Sequence, residues 1–259
     1  MIETHFFPPK LEITLRDGRN IIGEVFINPK ETMSEDRKIE ILERYVKLTT
    51  IVFTVENDSR ESHYQHTFSS DLFIIFTASQ FKDSLNIDEN EIVALFSFHF
   101  YTINAQNIVY LAAAIVHPLL QGCGIFRGLL SSFFAQLGNN GDQTVSYFCT
   151  RTQNPLLGQS LLSIFDRVYP LAKILGCNSI CEEEASEIRQ IVKSLIDYWQ
   201  IPSFDTETFV FKNLYGSSLM KEDQKSLIEW LQCYWEKNIV REQGDAFLLI
   251  SPFEVKKRK

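Results

Sequence analysis

The stretch Val116-His117-Pro118-Leu119-Leu120-Gln121-Gly122-Cys123-Gly124-Ile125-Phe126 decides how this chain is read. Before it, Ile108 to Val116 carries no charge, the pattern of a strand buried on both faces. After it, Ile125, Leu129, Leu130, Phe133, Phe134 and Leu137 recur at helical spacing, and Gly138-Asn139-Asn140-Gly141 marks a helix end. Strand, glycine turn and helix in that order make an anion site. The first helical turn leaves backbone N–H groups unsatisfied, and the helix dipole adds roughly half a positive charge there. Gly122 and Gly124 have no Cβ to hold a phosphate away from the main chain. The dipole alone contributes about 0.3–2 kcal/mol, so several N–H contacts to a diphosphate have to add to it. No Lys stands in Walker position, and Arg127 occupies the place of the third glycine of a dinucleotide fingerprint; both nucleotide folds are disfavoured.

Working outward, Leu11, Ile13 and Leu15 alternate, Asp17-Gly18 supplies a turn, and Ile21 to Ile27 returns, which reads as a hairpin. Ser34 followed by Glu35 and Asp36 caps an amphipathic helix carrying Ile41, Leu42 and Tyr45; Leu48 to Val55 suits either strand or helix. Arg60 to Ser70 reads as loop. Leu72 to Ala78, Glu91 to Thr102 and Asn107 to His117 read as an antiparallel meander. Beyond the glycine turn, Val145 to Cys149 is a strand, and Pro155, with Asn154 or Thr152 as cap, opens an apolar helix. Helices near Ser186 to Trp199 and Glu222 to Trp235, and strands at Thr208 to Lys212 and Ala246 to Ile250, complete the chain. Trp230, Leu231, Tyr234 and Trp235 on the last helix fit a core face better than a partner surface. No Pro/Gly/Ser-rich linker interrupts the sequence, so residues 1–259 read as one mixed α/β domain, with a core at about 72–166 and an elaboration over 167–259.

Composition narrows the function classes. The 259 residues contain 21 Phe against 11 Gly and 45% apolar side chains, which excludes disordered and collagen-like chains. A net charge of −8 repels polyphosphate and argues against nucleic-acid binding; Lys256 to Lys259 reads as a solvated end. No apolar run is long enough to cross a bilayer and no secretory leader is evident, so no membrane partner is expected. An odd count of five cysteines fits reduced thiols and a cytoplasmic location. Cys177/Cys181 and His63/His66 are isolated pairs, better read as surface than as zinc ligands, so no metal is expected.

The quoted stretch resembles the acyl-CoA turn of the GCN5-related N-acetyltransferases (GNAT), whose pattern is Q/R-x-x-G-x-G/A after a central strand, often preceded by Val-x-Pro. Gln121 takes the Q/R position and Gly124 the first glycine, while Phe126 stands at the usual Gly or Ala. The resemblance covers about Leu72 to Phe165, with the specific motif confined to the turn. It implies a mixed, mostly antiparallel sheet flanked by helices, extended here by an N-terminal hairpin and C-terminal helices. It further implies that acetyl-CoA is the cosubstrate, that pantetheine pairs with Ala114, Ile115 and Val116, and that the diphosphate rests on the amides of Gly122, Cys123, Gly124, Ile125 and Phe126, with Gln121 also among the cofactor-binding residues. Asn154 would help to hold the pantetheine arm or the splayed strand.

By the same resemblance the activity is transfer of an acetyl group to an amine by direct attack. The amide of Ile115 or Val116 would polarise the carbonyl, and a base would take the amine's proton. The central strand has no carboxylate, which leaves Glu91, His99 or an ordered water as base, and Tyr110 as a tyrosine on that strand. The family's usual acid, a Tyr seven positions after the Asn, is Leu161 here, and Cys149 has no evident His/Asp partner and reads as a core thiol. The alternative reading is a catalytically degenerate acyl-CoA-binding or protein-interaction domain. The acceptor is open between a small amine and a protein lysine or N-terminus, with cationic amines favoured weakly by the acidic surface.

Overall fold

The computed structural model describes residues 7–53, 64, 67–81, 87–139, 145–174, 182–219 and 225–253. Their contacts gather into two compact units. One comprises residues 1–100 and 111–144, the other 101–110 and 145–259.

In the first unit, β1 (Lys10–Thr14) pairs antiparallel with β2 (Asn20–Ile27), β2 with β3 (Leu72–Thr77), and β3 with the start of β4 (Ile92–Ile103). The expected hairpin is present. Leu11, Ile13 and Ile21 are buried, and their strand neighbours face outward, as period-two alternation requires. Ser34 caps α1 (Glu35–Val52), its side chain accepting from the N–H of Arg37, so the ambiguous run from Leu48 continues as helix as far as Val52. β4 passes through a two-residue turn at Asn104 and Ala105, both at positive φ, into β5 (Gln106–Val116). The backbone N–H of His117 then donates to Val93 O at 2.8 Å, which registers the end of β5 beside the start of β4.

α2 (Ile125–Asn139) covers this sheet through aromatic stacking: Phe133 lies 4.3 Å from Phe98 and 5.2 Å from Phe7. Gly128 permits its closest approach, because a Cβ there would come within 2.8 Å of Thr14 O. The helix runs through Gly138 rather than stopping at it. β5 also departs from expectation. Ile108 to Leu111 are buried, but Ala112, Ala113, Ala114 and Val116 are only half-buried. An uncharged run reports side-chain polarity, whereas alanine methyls are too small to close the surface around their own backbone.

The second unit contains β6 (Tyr147–Thr152), paired antiparallel with β9 (Ala246–Pro252), then β8 (Val210–Phe211) and β7 (Phe204–Asp205), also antiparallel. Asn154 is the N-cap of α3 (Pro155–Leu162), accepting from Leu156 N at 2.9 Å with Pro155 in the first turn. α4 (Glu182–Trp199) buries Ile188, Ile191, Val192 and Leu195, a 3–4 spaced stripe. α5 (Glu229–Asn238) begins later than its apolar pattern suggests. Ser226 and Leu227 are engaged with Gln159 Oε1 ahead of it, the Ser226 hydroxyl at 2.8 Å. Its core reading holds for Leu231 and Trp235, which are buried, while Trp230 and Tyr234 are half-buried; Trp235 stands 4.5 Å from the Phe247 ring and donates its indole N–H to Gln153 O at 2.9 Å.

The architecture is thus mixed α/β, with nine strands among the described residues, antiparallel in the pairings above, and helices flanking them. No helix among the described residues is long and apolar enough to cross a membrane, and no group of three or more potential metal ligands occurs among them. His63, His66, Cys177, Cys181 and Lys256 to Lys259 lie outside the described residues.

Candidate functional site

The turn after β5 is built by a short 3-10 segment, Pro118–Leu120, capped by His117, whose Nδ1 accepts from Leu119 N at 3.3 Å. His117 is buried, and burial lowers its pKa. It belongs to the turn's framework. Gln121 folds back, donating from Nε2 to Val116 O at 3.2 Å. Gly122 and Gly124 follow at φ +82° and +95°, the left-handed region in which a Cβ is strained.

The N–H groups of Gly124, Ile125, Phe126 and Arg127 follow these two backbone reversals. The first helical bond of α2 is Gly128 N–H to Gly124 O at 2.8 Å, and among the described residues no protein acceptor takes the four N–H groups before it. The Phe126 ring is 6.2 Å from Phe96 of β4, so the phenyl lies against the sheet and not over the main chain. The N-terminal hairpin adds what the sequence reading missed. Arg16 N–H donates to Cys123 O at 2.9 Å, and Arg16 Cγ lies 3.0 Å from where a Gly124 Cβ would be. Arg16 and Arg127 are both exposed, with no ion pair among the described residues, so two cationic side chains belong to the elements that form the turn. Arg16 stands 107 positions before Cys123 (123 − 16), and nothing in its local pattern marks it.

The proposed cofactor residues Ala114, Ile115, Val116, Gln121, Gly122, Cys123, Gly124, Ile125 and Phe126 are therefore contiguous in the first unit. Asn154 belongs to the second, where its Oδ1 is spent on the α3 cap.

The catalytic candidates are not gathered in this way. Glu91 precedes β4 and pairs with Lys47 at 2.5 Å. The His117–Val93 bond puts it at the turn end of the strand pair. His99 lies eight positions further along, roughly 26 Å away at strand rise, with Nδ1 3.8 Å from Asp71 Oδ2 and a fifth of its side chain exposed at 20%. Phe96, Phe98 and Phe100 share the face toward Phe126 and Phe133, so alternation sets His99 on the opposite one. Tyr110 belongs to the second unit. It is buried, burial raises its pKa far above the usual phenol value, and its hydroxyl accepts from Arg151 Nε at 2.6 Å. Cys149 is buried as expected of a core thiol, and burial pushes its pKa up. Leu161 is also buried.

No protein-family model matches the chain, and no curated protein matches it. Among solved structures, it is similar to the GNAT domain of S. lividans PAT, at 15% identity over 62% of this chain and 88% of that one, with a TM-score of 0.40. It is also similar to N-acetylglutamate synthase from Neisseria gonorrhoeae, complexed with coenzyme A and N-acetyl-glutamate, at 13% identity over 67% of this chain and 33% of that one, with a TM-score of 0.32.

Proposed function

We propose that the protein is an acyl-CoA-dependent N-acyltransferase that uses acetyl-CoA. The observation that carries this reading is the run of four N–H groups at Gly124 to Arg127 that have no protein acceptor among the described residues, with left-handed glycines at 122 and 124 and with Arg16 and Arg127 on the flanking elements. A diphosphate is the ligand that such a cradle fits: it accepts from several N–H groups at once and carries the charge that two guanidinium groups complement. The half-buried alanine stretch of β5 leaves a main-chain path for an extended pantetheine arm.

In the reaction the neutral amine attacks the thioester carbonyl carbon, the C–S bond breaks, the amine's proton passes to a base, and CoA leaves as thiolate or thiol. The β5 amides at Ile115 or Val116 would hold the carbonyl oxygen. Of the two bases, Glu91 stands at the same end of the β4–β5 pair as these amides, where it is paired with Lys47, whereas His99 lies six positions beyond Val93 along β4.

A second reading, an acyl-CoA-binding domain without turnover, is favoured by Leu161, buried where the resembled family carries its acid. Calorimetric titration with acetyl-CoA tests the cofactor, and release of free thiol with a panel of amines separates enzyme from binder. Absence of acetyl-CoA binding would remove both readings.

A further inference from the structure

Arg151 is the strongest unassigned feature of the second unit. Along β6, alternation sets Tyr147, Cys149 and Arg151 on one face. There the guanidinium carbon lies 5.1 Å from the Trp199 ring, 5.4 Å from Tyr110 and 5.9 Å from Phe211. Tyr110 and Trp199 are themselves 4.9 Å apart, and Tyr101 stands 6.1 Å from Tyr110. The cation is thus set among aromatic rings, with burial working against its charge and the Tyr110 and Tyr215 oxygens working for it.

Among the described residues no carboxylate pairs with Arg151. Lys212, the nearby basic residue on the chain after β8, is already paired with Asp245 at 2.8 Å. Of five guanidinium N–H donors, one is given to Tyr110. Among the described residues the four on Nη1 and Nη2 have no acceptor, yet neither nitrogen is among the fully buried unpartnered atoms, so this edge remains reachable from solvent. A permanent charge half withdrawn from water without a counter-ion is costly, and ring contacts return only about 0.5–2 kcal/mol each. A ligand anion would complete the site.

We propose that Arg151 anchors a carboxylate-binding subsite, its Nη edge taking a small molecule's carboxylate in two parallel hydrogen bonds while Trp199 and Tyr110 wall the adjoining carbons. The planar fork matches a carboxylate's two oxygens. A single cation balances one negative charge, whereas a phosphate dianion would leave charge uncompensated among the rings. The ligand class is thus an amino acid or similar amino-carboxylate, and, resting on the acyltransferase reading, it is the acceptor class to test ahead of the polyamine or lysine side chain that the acidic surface alone suggests.

The test uses the full chain, with Trp199 emission as a local reporter and Trp199→Phe to identify its share of the signal. Free amino acids, their amides and inorganic phosphate are titrated in parallel, and acetyl-CoA binding is measured separately by calorimetry. The expected result is saturable quenching by acids but not by the corresponding amides. Arg151→Gln should weaken acid binding about tenfold or more, with Arg151→Lys between it and the wild type and acetyl-CoA affinity unchanged in both. Equal response to acids and amides, no response to acids, tighter binding of phosphate, or undiminished acid binding by Arg151→Gln each overturns the proposal. The acid–amide comparison on the wild-type chain decides the matter even where Arg151→Gln does not fold. Acid binding without acetyl-CoA binding removes the acyltransferase reading and the acceptor role with it. Acetyl-CoA binding without acid binding removes only the carboxylate subsite.

Discussion

The main-chain N–H of Arg16 donates to the carbonyl of Cys123 at 2.9 Å, so the tip of the β1–β2 hairpin is fastened to the glycine turn that opens α2. The hairpin is part of the candidate cofactor site and not an appendage to it. Arg16→Ala should weaken acetyl-CoA binding about tenfold, the worth of one charge-assisted contact. It should also reduce the dependence of that affinity on salt. Calorimetry at two ionic strengths reads both, and an unchanged affinity at low salt counts against a diphosphate beside Arg16.

The two turn glycines are expected to respond differently to alanine. Both sit at positive φ, which costs a non-glycine residue about 1–2 kcal/mol. At Gly122 nothing lies within 4 Å of the added methyl, whereas at Gly124 it meets Arg16 Cγ at 3.0 Å and Arg16 N at 3.2 Å. Gly124→Ala should therefore be the more destabilising in urea melts and the more harmful to acetyl-CoA binding. The reverse order would show that the hairpin does not press on the turn.

His117 gives the turn a pH dependence. Burial holds its folded pKa below the unfolded value of 6.5, so between those two values the unfolded chain binds more protons. Its contribution to stability is whole above about pH 6.5 and declines as pH falls from there to the folded pKa. Protonating Nδ1 also removes the acceptor for Leu119 N–H. Denaturation free energies for the wild type and His117→Gln, measured from pH 8 down to 5, should converge toward acid; parallel curves would exclude this contribution.

Trp235 supports the second unit by both volume and hydrogen bonding. Trp235→Ala should cost about 3–5 kcal/mol through the cavity it leaves. Trp235→Phe keeps most of the volume but leaves the Gln153 carbonyl without the indole N–H, for about 1–3 kcal/mol. Equilibrium unfolding followed by circular dichroism ranks the pair.

Patterns carried by neighbours in sequence were legible. The hairpin at Asp17-Gly18, the Ser34 and Asn154 caps and the glycine turn all follow from local backbone chemistry, and each is present. Surfaces assembled from distant segments were not. Arg16 meets Gly124 only because α2 crosses β1 closely at Gly128, and Arg151 meets Trp199 only through the packing of α4. The half-exposure of Ala112 to Ala114 was missed for another reason: an alanine run looks identical whether it is covered or open. Nothing in the sequence around Tyr110 signals the Arg151 side chain whose Nε–H its hydroxyl accepts.

The course of the chain between the two units limits how the protein can be divided. Residues 101–110 belong with 145–259, so the second unit is assembled from two separate lengths of polypeptide. A fragment beginning at Val145 would keep Arg151, Trp199 and Phe211 but lose Tyr101 and Tyr110, and with them the oxygen that receives the Arg151 Nε–H. Gene truncation or cassette exchange at a single junction therefore breaks the aromatic surround of Arg151. Inheritance of that surround requires the β4–β5 hairpin and the C-terminal segment to travel together.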